Sequence, residues 1–288
     1  MMTHFRQSLS LSSSSKRVNT SVLLIRMAVG TYLISSGIMG GLLSIVESMN
    51  SADVNFEAYM AIQIVIGTLL VTGLFTRIGA VTLLGIFAST FVVYGINALD
   101  QVMMLGICLA LLVKGGSKYS LDCLLFGKTS APKIIQKKFA MIDANKLFLS
   151  SIRMAFGANL IWLGLTEKML APDMFVAVME NFHLSPVGVE SEMAAYGAGL
   201  IELAIGAFYL LGMRMRIVSS LMFGILIFTV VMFHESIVAH LIMFAISALF
   251  VINGKDPITI FGISKMAVTV RQIKNILLLR MYPDTNQT

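Results

Sequence analysis

The chain has 288 residues, of which 57% are hydrophobic and only 12% charged, with a mean hydropathy of +0.86. A soluble domain carries about 25% charged residues, so this composition excludes a water-dispersed globule and points to a multi-pass membrane protein whose main partner is the lipid bilayer. The excess of 21 Lys and Arg over 15 Asp and Glu fits basic inner loops, and no nucleic-acid-binding motif accompanies it, so no nucleic-acid partner is expected.

Residues 1–21 are serine-rich with scattered Arg6, Lys16 and Arg17; they lack the apolar centre of a signal peptide and read as a disordered cytoplasmic tail. Backbone groups in hydrocarbon must pair within their own segment, so each apolar run that follows predicts a helix. The first four runs are Val22–Ile45, Ala58–Phe75, Ile78–Ala98 and Val102–Val113, inside a unit covering 22–127. A basic linker at 128–147 leads to Phe148–Leu165, Tyr196–Leu211, Ile217–Phe233 and Val238–Ile252, inside a second unit covering 148–262. The tail at 263–288 spaces Val, Ile and Leu among Arg271, Lys274 and Arg280, the pattern of an amphipathic helix lying on the inner leaflet. The expected fold class is all-α integral membrane: eight transmembrane helices as two parallel four-helix repeats, both termini cytoplasmic.

Two features support that arrangement. With this span count, every Lys and Arg except Lys168 falls on the inner side, while the outer loops hold acids such as Glu47, Asp53, Asp173 and Glu190. The halves also share phrases. Arg26-Met27-Ala28-Val29-Gly30 returns as Arg153-Met154-Ala155-Phe156-Gly157, and Gln63-x3-Gly67-x5-Gly73-x3-Arg77 returns as Glu202-x3-Gly206-x5-Gly212-x3-Arg216. An even number of helices per copy makes the copies parallel, related by an axis along the membrane normal. This disfavours alternating-access transport of a small solute. Arg26 and Arg153, near the inner ends of their spans, are expected to snorkel to phosphate. Cys108 and Cys123 form no CxxC pair, so no dithiol chemistry is expected.

The ionisable residues of the second copy gather toward one depth. Lys168 ends the fifth span beside Glu167, and Glu202 lies within the sixth, where a carboxylate costs about 2.5–3.5 kcal/mol on insertion scales. Glu202 therefore needs a partner, and Lys168 is the natural one. His234 and Glu235 occupy the short outer turn before the last span, His240 enters that span, and His183 sits in the longer loop that an insertion near Met174–Glu192 creates. Glu202, Lys168 and His240 are the candidate proton-moving or catalytic residues; His234, Glu235 and Glu167 are candidate ligand contacts. Two readings of the Lys168–Glu202 pair stay open: a structural bolt between helices, or a site where Lys168 holds a negative oxygen and Glu202 or His240 exchanges protons. No metal site is expected, because His234 and His240 fall about 240° apart on a helix and no second ligand motif accompanies them.

The ordered set Arg153-x3-Gly157-x6-Gly164-x3-Lys168, then Glu202-Leu203-x2-Gly206 and the Gly212-Met213-x-Met215-Arg216 turn, resembles the DoxX-like membrane proteins, which include the DoxD-type small subunit of thiosulfate:quinone oxidoreductase. The ending Gly115-Gly116-Ser117-Lys118-Tyr119-Ser120-Leu121-Asp122 is similar to the closing phrase of that family. The resemblance implies a membrane component of a redox system, linking a sulfur compound or other small donor to quinone, in a bacterial or archaeal inner membrane, with a redox partner subunit. Quinone is then the one cofactor expected. In the first copy the family's Lys and Glu positions hold Gly41 and Gln63, so any chemistry of those residues is expected in the second copy alone. The alternative is a non-enzymatic membrane scaffold or assembly subunit.

Overall fold

The computed structural model describes residues 2–40, 56–127, 143–181, 190–232, 234 and 236–254. The linker from 128 to 142, the tail from 255 onward, His183 and Glu235 lie outside the described residues.

Among the described residues the chain is entirely helical. In order it forms α1 (Met2–Met39), α2 (Phe56–Thr72), α3 (Thr76–Tyr94), a 3-10 helix (Gly95–Gln101), α4 (Met103–Lys114) and α5 (Leu121–Phe126). Then come α6 (Ala144–Leu163), a π-helix (Gly164–Leu170), α7 (Asp173–Asn181), α8 (Ser191–Leu211), α9 (Met215–Met232) and α10 (Ile237–Asn253). Among the described residues, each predicted apolar run lies largely on a helix; residues 41–45 of the first run and 233 of the seventh are outside them. Five segments are long and apolar enough to cross a membrane: Lys16–Met39, Gly95–Lys114, Ala144–Leu170, Ser191–Leu211 and Met215–Met232. Glu57–Thr72, Thr76–Val92 and Ile237–Asn253 are apolar but shorter.

Local chemistry sets the helix ends. Asp143 opens α6, its carboxylate accepting from the Asn145 amide at 2.9 Å. Gly212 closes α8 in the left-handed region (φ 69°), returning its amide to the Phe208 and Tyr209 carbonyls. Pro172 stops the continuation of α6, and the last turns before it widen into the π-helix, where the Ala171 amide reaches the Thr166 carbonyl five residues back.

Two expectations are corrected. The stretch read as a disordered tail is part of α1, which starts at Met2. Hydroxyl residues need not break such a helix: Thr20 and Ser21 bond back to the carbonyls of Lys16 and Arg17. Nor do the two arginines snorkel. Arg26 and Arg153 are 1% and 2% exposed, because carbonyls near helix ends capture their guanidinium groups before they reach any surface. Arg26 donates to Gly116 and Tyr119, at 2.5 and 2.9 Å, and Arg153 donates to Tyr209 and Leu210, both at 2.5 Å.

Glycines decide how the helices meet. A Cβ on Gly30 would sit 2.6 Å from the Gly67 carbonyl, and one on Gly67 equally close to the Gly30 carbonyl, so α1 and α2 cross in backbone contact. Gly157 and Gly206 make the same reciprocal approach, at 2.8 Å each way, where α6 crosses α8. The halves join along two seams, α1 against α10 and α4 against α6. At the first, Asn253 donates to Ser21 at 2.6 Å; at the second, Lys114 donates to Asn145 at 2.5 Å. One end of the bundle thus collects the Ser21 turn of α1, the start of α6 and the close of α4 and α10.

Candidate functional site

The other end of α6 carries the Lys168–Glu202 pair. Lys168 stands on the π-helix, and Glu202 lies eleven residues after the start of α8, about 16 Å along it. The Lys168 ammonium donates to both carboxylate oxygens, at 2.8 Å and 2.9 Å. Two glycines make this reach work. A Cβ on Gly164 would lie 2.9 Å from the Gly199 carbonyl and 3.1 Å from Glu202 Cβ; one on Gly199 would lie 3.0 Å from the Gly164 carbonyl and 3.1 Å from Lys168 Cβ. Larger residues at either place would push the backbones apart and stretch the pair. From above, α7 brings the Phe175 ring to 5.6 Å from the ammonium, within cation–π range.

The pair is half-buried rather than sealed, with side chains 13% and 24% exposed. That difference from the arginines decides what it can do. Part of each side chain of the pair is exposed, whereas Arg26 and Arg153 are closed off by their carbonyl partners.

Of the six sequence-selected residues, the structure joins these two. Glu167 is exposed on the π-helix next to Lys168. His240 lies one turn into α10, which packs on α1 and α9, whereas the pair is framed by the π-helix, α7 and α8. His234 occupies the turn between α9 and α10 with a left-handed backbone (φ 52°), and Glu235 lies outside the described residues. Among the described residues no group of three or more His, Cys, Asp or Glu is arranged to hold a metal ion.

Two polar networks were missed from sequence. In the second half the Tyr209 and Ser219 hydroxyls share a hydrogen bond of 2.8 Å, and the Ser247 hydroxyl faces the same phenol without completing one. Phe156 and Phe250 meet the Tyr209 ring edge-on, with centroids 4.8 and 5.7 Å away. Counting from the shared glycines, the first half places Leu70, Ala80 and Cys108 at these positions, all apolar and buried. The same comparison of copies that singled out Lys168 and Glu202 would have found the three hydroxyls.

The second network belongs to the first half. Asp122, from α5, accepts the Phe75 and Thr76 amides at 2.7 and 3.1 Å and so caps α3 from a distant part of the chain. Nearby, Arg26 crosses Gly73, whose positive φ (72°) and missing side chain leave the guanidinium its path to Gly116. Arg77 completes the group by donating to the Leu112 carbonyl at 3.1 Å.

Comparison with known proteins bears on the second half. Residues 148–235 match the DoxX family model, a stretch that holds Arg153, Gly157, Gly164, Lys168, Glu202 and Gly206. No curated protein and no solved structure matches the chain.

Proposed function

We propose that this multi-pass membrane protein, which carries a DoxX domain over residues 148–235, is an integral subunit of a redox system that links a small donor, of the sulfur-compound or a related class, to the quinone pool. The observation that carries this reading is the half-open Lys168–Glu202 pair, held on a π-turn inside that domain. Segments with π-type hydrogen bonding occur often at functional sites, and a charge pair at the end of a span is costly enough to call for a use. Lys168 would hold a negative oxygen or sulfur of the donor, and Glu202 would exchange protons with it. Quinone is here the electron-accepting substrate; a partner subunit brings or relays the electrons.

We place the protein in a bacterial or archaeal inner membrane with eight spans, the three shorter apolar helices completing the five long ones. Two parallel repeats are supported by the matched glycine crossings, the matched seams, and one further equivalence. The Cβ of a residue at Gly37 would approach Gln63 Cβ to 3.3 Å, as one at Gly164 approaches Glu202 Cβ to 3.1 Å. The first half would then serve as scaffold around a neutralised copy of the site, with both termini cytoplasmic.

The test is quinone reduction by thiosulfate, sulfide and small organic donors, in membranes with and without the gene. Gene-dependent reduction that Lys168→Met abolishes supports the reading; equal rates, with no quinone bound to the purified protein, overturn it. One observation favours a non-enzymatic scaffold instead: the two charges of the pair engage each other directly, as in a bolt between helices. Retained function in Glu202→Gln and Lys168→Met, with stable copurification of a partner complex, would select that reading.

A further inference from the structure

We propose that the Lys168–Glu202 pair accepts small weak acids in their neutral, protonated form, by exchange of partners. The incoming acid passes its proton to the Glu202 carboxylate, and its anion takes the vacated place on the Lys168 ammonium. The O–H (or S–H) bond of the ligand breaks, an O–H bond forms on Glu202, and no electrons are transferred. This rests on the reading of the pair as the ligand site and names the class of ligand it takes.

The geometry leads there in three steps. An ammonium has three N–H donors, and Glu202 occupies two of them, at 2.8 and 2.9 Å. An anion therefore binds well only where Glu202 lets go. Glu202 cannot let go as a carboxylate without leaving an unpaired charge beside apolar helices; once it carries a proton, it can. The pair is also neutral as it stands. A bare anion would leave one uncompensated negative charge in a low-dielectric place, whereas an acid arriving with its own proton leaves the total unchanged.

The surroundings select the same form. The other titratable groups at this end are Glu167 on the π-helix, Asp173 and Glu180 on α7, Glu190 just before α8, Glu192 and Tyr196 on α8, and His234 and His240 on the turn after α9 and on α10. The carboxylates outnumber the histidines, so an approaching anion meets repulsion that a neutral acid does not. Lys168 and Glu202 keep only 13% and 24% of their side chains exposed. The Phe175 ring lies 5.6 Å from the ammonium, which favours an acid with a flat or apolar body. Hydrogen sulfide and aromatic or short-chain carboxylic acids fit this description, and a dianion such as thiosulfate does not.

Benzoate is the probe, because its binding needs no redox partner. Calorimetry of the full-length protein in detergent, in two buffers of different ionisation enthalpy, counts the protons exchanged. The expected result is uptake of one proton per benzoate bound at pH 7–8, with apparent affinity falling about tenfold per pH unit from 6 to 8. In Glu202→Gln the proton uptake vanishes and affinity becomes independent of pH, since Lys168 is already free; in Lys168→Met binding is lost. Benzoate bound with no proton uptake, or no binding at any of these pH values, overturns the proposal. The wild-type proton count decides even if a variant fails to fold. A failure here leaves gene-dependent quinone reduction untouched, so the two readings fall separately.

Discussion

The two ends of the bundle keep charges that differ in kind: Arg26 and Arg153 are sealed at one, and the Lys168–Glu202 pair stands at the other. In the first half Arg26 is closed in by two backbone carbonyls, with Asp122 capping α3 beside it. In the second half Lys168 and Glu202 face each other across a glycine-lined crossing with part of each side chain open. A sealed charge engaged by backbone groups can hold helices together and do little else. An open pair that satisfies only itself can exchange a partner. The difference teaches that charge inside a span is not by itself a sign of chemistry; access and the nature of the partner decide.

Substitutions can break this contrast, and the largest effect belongs to the sealed side. Arg26→Met leaves the Gly116 and Tyr119 carbonyls without their charged donor and should cost about 3 kcal/mol, read as a fall in Tm or loss of a monodisperse peak in detergent. Gly164→Leu comes next: its side chain collides with the Gly199 carbonyl, for about 2 kcal/mol by overpacking. Unlike Arg26→Met, it should also abolish benzoate binding, because it separates Lys168 from Glu202. Asp122→Ala uncaps α3 and should cost about 1–2 kcal/mol, with ligand binding intact when measured below the new Tm. Tyr209→Phe removes one shared hydrogen bond and should cost about 1 kcal/mol, leaving binding at the far end of α8 unchanged. If Tyr209→Phe altered proton uptake on binding, the hydroxyl cluster would have to be counted as part of the site.

Much of the fold was legible because apolar runs announce helices whatever their partners. The glycine pairs were legible too, since the repeated phrases put Gly30 with Gly157 and Gly67 with Gly206. The pair itself could be read from scarcity: Glu202 is an acid in an apolar run, and Lys168 is the one Lys or Arg expected on the outer side. The arginines were misread because their partners, Gly116 and Tyr119 for Arg26, are carbonyls brought close by folding, which residue spacing does not encode. The π-helix was illegible for a related reason, as it depends on where Pro172 forces the chain to turn. The histidines were grouped with the pair on depth alone. Depth does not fix position around a bundle, and His240 lies on a helix packed toward α1 and α9.

The most direct measurement compares stability and function in one variant, Lys168→Met combined with Glu202→Gln, which removes both charges and strands neither. Removing both partners of a part-buried pair is often neutral or mildly stabilising, so its Tm should stay within a few degrees of the wild type or rise while gene-dependent quinone reduction disappears. Quinone reduction that survives in this variant, or a loss of stability as large as that of Arg26→Met, would contradict the assignment of the pair as the site.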